Sequence, residues 1–237
     1  MKKLVLWLIP LLVYGLGAKA QISTSYLWHL HQPTYWGDVS KKNPNRYQMV
    51  KESQDLKTSG ANNDKNGLAH PTNNLVEIVS TGDRVAAYQF APKNAISSIA
   101  DLPKAGAQIT YGGSLMENVQ ELAQANQWGY STSWTQNIKD AKSWKTSGGF
   151  PRMEVVSFTM HHALSPLLSD EGLTKEIKAH QYYSAQLFGT HDSKGYWPAE
   201  CAFSERIIKT LKECGIEWSV IANSHLSRTL SDYPLKY

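Results

Sequence analysis

One carboxylate lies where enzymes with parallel α/β folds build their active sites. Glu200 belongs to the segment GYWPAECA, residues 195–202. Behind it, residues 204–215 have apolar side chains at helical spacing and end at a glycine, and residues 216–222 form an apolar run of strand length. This order predicts a strand–helix–strand unit with Glu200 at the C-terminal end of the first strand. The same spacing also fits a surface carboxylate at a helix N-terminus, where the helix dipole favours negative charge.

Polar groups also follow the other predicted strands. The first strand, residues 24–30, runs into HLHQP, residues 29–33, where proline ends it. Because side chains alternate along a strand, His29 and His31 point to the same face. Three further strand ends carry Gly113 and Ser114 after residues 108–111, His161 and His162 after residues 154–160, and Asn223 and His225 after residues 216–222.

Helical stretches separate these strands, notably residues 115–126 and 173–188. Strands joined through helices run parallel, and parallel strands bring their C-terminal ends to one edge. The sequence therefore predicts an α/β fold in which histidines, a carboxylate and hydroxyl or amide groups meet in one cleft, as in a (β/α) barrel. Lone histidines are more often hydrogen-bonded structural groups than ligands, and His162 and His180 are expected to be of that kind.

Two polar stretches are predicted to run over the surface. Residues 37–72, with a short helix near 48–56, and residues 128–149 are rich in polar residues. Residues 73–80 and 84–90 are short apolar segments without a clear period.

A carboxylate in a cleft with histidines and many aromatic residues suits glycosidic bond chemistry. In the retaining mechanism, one carboxylate attacks the anomeric carbon and a carboxylic acid protonates the leaving oxygen. Tryptophan and tyrosine rings offer flat apolar faces to sugar C–H groups.

The first twenty residues predict export. Two lysines precede an apolar run that ends in Ala18-Lys19-Ala20, a pattern typical of a signal peptide. We therefore expect residues 1–20 to be removed and the protein to be periplasmic or extracellular, with no membrane association after cleavage. Removing Lys2, Lys3 and Lys19 lowers the basic residues from 24 to 21, against 20 acidic ones. A nearly neutral surface argues against a nucleic-acid partner.

Four segments, in this order, resemble glycoside hydrolase family 57. YLWHLHQP at 26–33 is similar to its first motif, GSL at 113–115 to its second and WPAECA at 197–202 to its third, while NSH at 223–225 resembles a later polar segment. The resemblance implies that residues 21–237 are the N-terminal portion of an incomplete (β/α)7 barrel with parallel strands. It also implies a retaining enzyme that acts on α-glucans, without a metal or other cofactor.

The resemblance also implies roles for individual residues. Glu200 is the expected nucleophile. The residues expected at the substrate are His29, His31, Gln32, Trp28, Gly113, Ser114, Trp197 and His225. Trp28 and Trp197 fit a stacking role or a place in the core equally well.

The chain departs from the family pattern at the general acid. The family's acid is an aspartate well downstream of the nucleophile, whereas Asp232 follows Glu200 too soon and Asp192 precedes it. We therefore expect the acid beyond residue 237, and the 237-residue chain alone to be inactive.

Two alternatives remain open at this point. A non-catalytic glycan-binding protein would keep the cleft without the acid. A metal-dependent polysaccharide deacetylase would use histidines such as His29 and His31 as ligands, but the first strand end lacks the aspartate that such a site needs. The oligomeric state is not predicted by the sequence.

Overall fold

The computed structural model describes residues 25–35, 38–60 and 74–231. The predicted signal peptide lies outside these residues, as do residue 37 and residues 61–72 of the surface stretch predicted at 37–72. No helix in the described ranges is both long and apolar enough to span a bilayer.

Five short strands within these ranges all pair in parallel. They are β1 Leu27–Leu30, β2 Ala107–Tyr111, β3 Met153–Val156, β4 Gly195–Tyr196 and β5 Trp218–Ser219. β1, β2 and β3 form one sheet in that order, and β4 pairs with β5. A parallel bridge between Ser157 and Tyr196 continues β3 towards β4. The predicted α/β fold with parallel strands is confirmed.

Helices connect and cover these strands. The α-helices are α1 Val50–Ser59, α2 Gly82–Gln89, α3 Ala91–Ser98, α4 Gly113–Gln124, α5 Trp134–Ser143, α6 Asp170–Phe188, α7 Ile208–Glu213 and α8 Asn223–Thr229. Short 3₁₀ helices lie at Leu75–Ser80, Ser165–Leu167, Ala199–Cys201 and Glu205–Ile207. The two apolar segments near 73–80 and 84–90 are therefore helical, and only two residues of the strand predicted at 216–222 pair as β5.

Strand alternation separates the core from the site. On β2, Ile109 and Tyr111 are fully buried against the helices, whereas the Thr110 side chain faces the opposite way and binds His29. On the core side, Tyr111 contacts the rings of Trp134 and Phe188, whose centroids lie 5.7 Å from its own. The core therefore fixes the backbone from which the site residues project.

The prediction that residues 128–149 run over the surface is wrong. α5 lies within this stretch, and Trp134 at its start is fully buried, with its indole N–H donating to Gln120 Oε1 at 3.0 Å. Within α5 the polar residues form the exposed face of an amphipathic helix, in which Ile138 and Ala141 are also buried.

Part of the stretch predicted at 37–72 also packs into the fold. Its predicted helix is confirmed as α1, and the carboxylate of Glu52 is buried inside the loop that precedes it. Glu52 accepts hydrogen bonds from Ser40 Oγ at 2.6 Å and from the backbone of Lys41 at 2.7 Å. A buried carboxylate with such partners holds the loop in one conformation.

Candidate active site

Three imidazole rings form the centre of the site. His29 and His31 lie on one face of the first strand and its extension, with ring centroids 5.8 Å apart and an angle of 18° between the planes. His162 stacks on His31 with centroids 3.8 Å apart, and its Nε2 lies 3.3 Å from Nε2 of His29. The three rings therefore form one connected surface at the C-terminal edge of the sheet.

His162 is the site residue that the sequence interpretation missed. It was expected to be structural, but the turn after β3 brings its ring between His31 and Glu200. Its place at a predicted strand end was the available signal. His180 is a structural group, because it is fully buried and its ring nitrogens bind the backbone of Phe158 and Tyr111.

Glu200 projects into this cluster from a strained turn. Its Oε1 lies 3.4 Å from His162 Nε2, and its side chain is 70 % exposed. Glu200 has φ 54°, and its neighbours in the site Cys201 and His162 have φ 56° and 58°. Residues other than glycine avoid this left-handed region, at a cost of about 1–3 kcal/mol each, and such strain is concentrated at functional sites.

Aromatic and hydroxyl groups fix the ring of His29 from three sides. The indole of Trp197 stacks on it at 5.6 Å and 19°, and Phe158 packs against it at 5.2 Å. Thr110 Oγ1 lies 2.6 Å from its Nδ1. The Trp197 Nε1 is buried and finds no hydrogen-bond partner among the described residues. A buried donor of this kind calls for a water or ligand oxygen.

Desolvation by the neighbouring rings keeps the histidines neutral, although His29 is partly exposed to solvent. Desolvation, with the neighbouring His162, lowers the pKa of His29 to about 4 and that of His31 to about 3. Burial also lowers the pKa of His162, although the charge of Glu200 partly opposes this. At neutral pH the cluster therefore offers uncharged imidazoles, each able to donate and accept one hydrogen bond, beside an exposed carboxylate.

These pKa values predict a loss of stability in mild acid. The unfolded histidine pKa is about 6.5, so below that pH the unfolded chain binds more protons than the folded one. The stabilisation is complete above about pH 6.5 and is lost as the pH falls towards 4 for His29 and 3 for His31. We expect the effect of each ring to lower the free energy of unfolding by on the order of 1 kcal/mol at pH 5, relative to pH 7, after allowance for solvent screening. Thermal unfolding should show a Tm that falls between pH 6.5 and pH 5, and in His31→Gln this fall should be smaller. An equal fall in Tm in the variant and the wild type would contradict this prediction.

Gln32, Gly113 and Ser114 support the site from behind. The Gln32 amide donates to the hydroxyl of Tyr88 at 2.6 Å, and its oxygen accepts from Tyr35. Ser114 Oγ donates to the carbonyl of Gln32 at 2.9 Å. Gly113 leaves no room for a side chain, because a Cβ there would lie 2.2 Å from the carbonyl oxygen of Met160. These contacts make the three residues part of the frame around the histidines.

Comparison with known proteins identifies the family. The family described as glycosyl hydrolase family 57 matches residues 25–236. The chain belongs to glycosyl hydrolase family 57. It is 34 % identical over 236 residues to an alpha-amylase of Niallia circulans, a match that covers 91 % of this chain and 18 % of that protein. The chain thus spans about a fifth of the length of this curated relative.

A solved structure supports the fold of this family 57 chain. The 4-alpha-glucanotransferase from Thermococcus litoralis is 15 % identical and superposes with a TM-score of 0.52, covering 89 % of this chain and 24 % of that one. At that identity the match shows a common fold only. It agrees with the expected N-terminal portion of a (β/α)7 barrel with parallel strands.

Two residues that the family 57 resemblance selected lie away from the cluster. Trp28 alternates with His29 and points to the opposite face of β1, where it borders an open groove of about 1200 Å³ with Tyr26 and Phe150. His225 lies in the first turn of α8, and no ring contact with the cluster is seen within the described residues. Its Nδ1 is buried without a partner in that part of the chain.

Proposed function

We propose that the protein is a retaining glycoside hydrolase, or a glycosyl-transferring enzyme, that acts on α-glucans. The observation that carries the proposal is the carboxylate of Glu200, held in a strained turn against neutral histidines in a chain of glycosyl hydrolase family 57. The alpha-amylase relative supports α-glucan as the substrate. From residues 1–20 alone we also propose secretion to the periplasm or the medium.

The proposed first step uses Glu200 as the nucleophile. Its oxygen forms a bond to the anomeric carbon while the bond to the leaving sugar oxygen breaks, and a carboxylic acid gives that oxygen a proton. Water or a sugar hydroxyl then attacks the anomeric carbon, gives its proton to the acid residue that is now a carboxylate, and the bond to Glu200 breaks. We assign the general acid to no residue of this chain.

The surrounding groups are suited to holding a sugar ring. Neutral imidazoles of His29, His31 and His162 can exchange hydrogen bonds with hydroxyl groups without competing for the charge of Glu200. The ring of Trp197 offers an apolar face, and its buried indole N–H, which has no partner among the described residues, calls for a water or sugar oxygen. The positive charge that develops on the sugar in the transition state would face the carboxylate.

The test is an assay of the full-length protein on maltoheptaose, followed by ¹H NMR of the anomeric protons. We expect early products in the α configuration. Chains longer than the substrate would indicate transfer, and shorter chains alone would indicate hydrolysis. Binding without turnover would contradict the proposal and favour a glycan-binding protein. Cellooligosaccharides, whose linkages are β, serve as the control substrate and should remain intact.

A further inference from the structure

One carboxylate of helix α6 fastens the turn that carries His162. Glu176 Oε2 accepts a hydrogen bond from the backbone N–H of His161 at 2.8 Å, and Oε1 lies 2.8 Å from Nδ1 of the same residue. The backbone carbonyl of Glu176 accepts from the N–H of Met160 at 3.2 Å. A single residue thus binds three groups on two consecutive residues of the turn.

The bonds within the turn itself are longer than the two that the Glu176 side chain makes. The N–H of His162 donates to the carbonyl of Thr159 at 3.3 Å, and Thr159 Oγ1 donates to the carbonyl of Ala163 at 3.2 Å. His162 also has φ 58°, which a residue with a side chain adopts only when its surroundings enforce it. The position of its ring therefore depends on how firmly the preceding residue is held.

We infer that Glu176 is a positioning residue, which acts through His161 to hold His162 against His31 and Glu200. A change in the peptide between residues 161 and 162 would swing the His162 ring away from its stack at 3.8 Å and from the carboxylate at 3.4 Å. Any effect of Glu176 on turnover rests on the proposed function, in which Glu200 is the nucleophile. The effect of Glu176 on the position of His162 does not depend on the proposed function.

The adjacent residues His161 and His162 are in opposite electrostatic environments. The hydrogen bond that the ring of His161 donates to Glu176 raises the pKa of His161 despite its partial burial, and the charge of Glu117 on α4 adds to this. Burial opposes ionisation of Glu176, but its bonds from His161 outweigh this effect and lower the pKa of the carboxyl. His161 and Glu176 therefore favour an ion pair, whereas His162 is kept neutral. The pair is partly screened from solvent, with side chains 53 % and 21 % exposed.

The experiment compares three variants of the full-length protein. Glu176→Ala removes every side-chain bond to the turn, and Glu176→Gln keeps one oxygen that can accept from the N–H of His161. Glu171→Gln is the matched control, because Glu171 lies on the same helix in an exposed pair with Lys175. The pKa of each histidine is followed by NMR of the ring Cε1–H group, and kcat and KM are measured on maltoheptaose.

In Glu176→Ala we expect the pKa of His162 to rise towards its ordinary value, because the ring leaves the position in which desolvation lowers it. The titratable groups that face His162 are His29, His31 and Glu200. We also expect kcat to fall about 10- to 100-fold with KM changed less than about threefold, since a positioning error affects the transition state more than ground-state binding. Glu176→Gln should have a His162 pKa and a kcat between those of Glu176→Ala and the wild type. Glu171→Gln should match the wild type in both quantities.

An unchanged His162 titration in a folded Glu176→Ala or Glu176→Gln variant would overturn the inference, whatever the activity. If Glu176→Ala does not fold, the same readout on Glu176→Gln decides. A wild-type protein without turnover would contradict the proposed function, but a shifted His162 titration in the variants would still support the positioning role.

Discussion

Glu200→Gln in the full-length protein should abolish turnover of α-glucans while binding of the substrate persists. The amide has nearly the shape of the carboxylate but cannot form a stable glycosyl ester, so the first chemical step is lost. Loss of a nucleophile typically lowers kcat by roughly 10⁴-fold or more. Substrate affinity should change little, because the histidines and Trp197 of the site are untouched. Initial rates of reducing-end release and calorimetric titration with maltoheptaose measure the two quantities.

The same substitution a few residues away provides the control. Glu205 begins a 3₁₀ helix after the site and is exposed, so Glu205→Gln should have wild-type kcat. In Glu200→Ala, added azide should attack the anomeric carbon as the bond to the leaving sugar breaks, which yields a β-glycosyl azide. Wild-type turnover in Glu200→Gln would exclude Glu200 as the nucleophile. An azide product of α configuration would show that Glu200 does not lie at the β face of the sugar.

The layout of the site could be predicted because it follows from strand geometry. β-Branched and aromatic runs separated by helices specify parallel strands, and the residues after those runs must gather at one edge. His29, His31 and Glu200 were found in this way, and the structure brings all three together with His162. Trp28 alternates with His29 and lies on the opposite face of β1, and its contact with substrate stays a prediction.

The sequence places His162 at a strand end, but the position of its ring between His31 and Glu200 could not be predicted, because it depends on contacts between distant residues. Its left-handed conformation is held by Glu176, which lies on α6 and has no local relation to the HH pair at 161–162. α5 was missed for a related reason. Its polar composition is typical of a loop, and the burial of Trp134 against Tyr111 and Phe188 appears only when the sheet is formed.

Gly113 has a packing role in addition to the substrate contact that the resemblance implied. The glycine allows helix α4 to begin directly against the turn that carries His162, where the N–H of Ser114 donates to the carbonyl of Met160 at 3.2 Å. On the other side, Gly112 makes room for His31, whose Nδ1 would lie 2.6 Å from a Cβ at that position. The two glycines therefore permit the close packing that places the histidines. A direct contact of Gly113 with substrate stays a prediction.

Gly113→Ala should therefore destabilise the protein and disturb the site together. The added Cβ would lie 2.2 Å from the carbonyl oxygen of Met160 and 2.3 Å from its sulfur. Side-chain rotation can relieve the second contact but not the first, so the turn must move. We expect a loss at the upper end of the overpacking range, about 3 kcal/mol in the free energy of unfolding, measured by urea denaturation.

Gly82→Ala is the matched control, because Gly82 also begins a helix but has open space around the position of a Cβ. Removing the flexibility of a glycine there should stabilise the protein by about 0.5 kcal/mol. Since the displaced turn carries His162, a folded Gly113→Ala variant should also show an altered His162 resonance, whereas Gly82→Ala should not. Equal stabilities for the two variants would mean that the turn can move away from α4 without cost. In that case His162 would not owe its position to the packing of Gly113 against Met160.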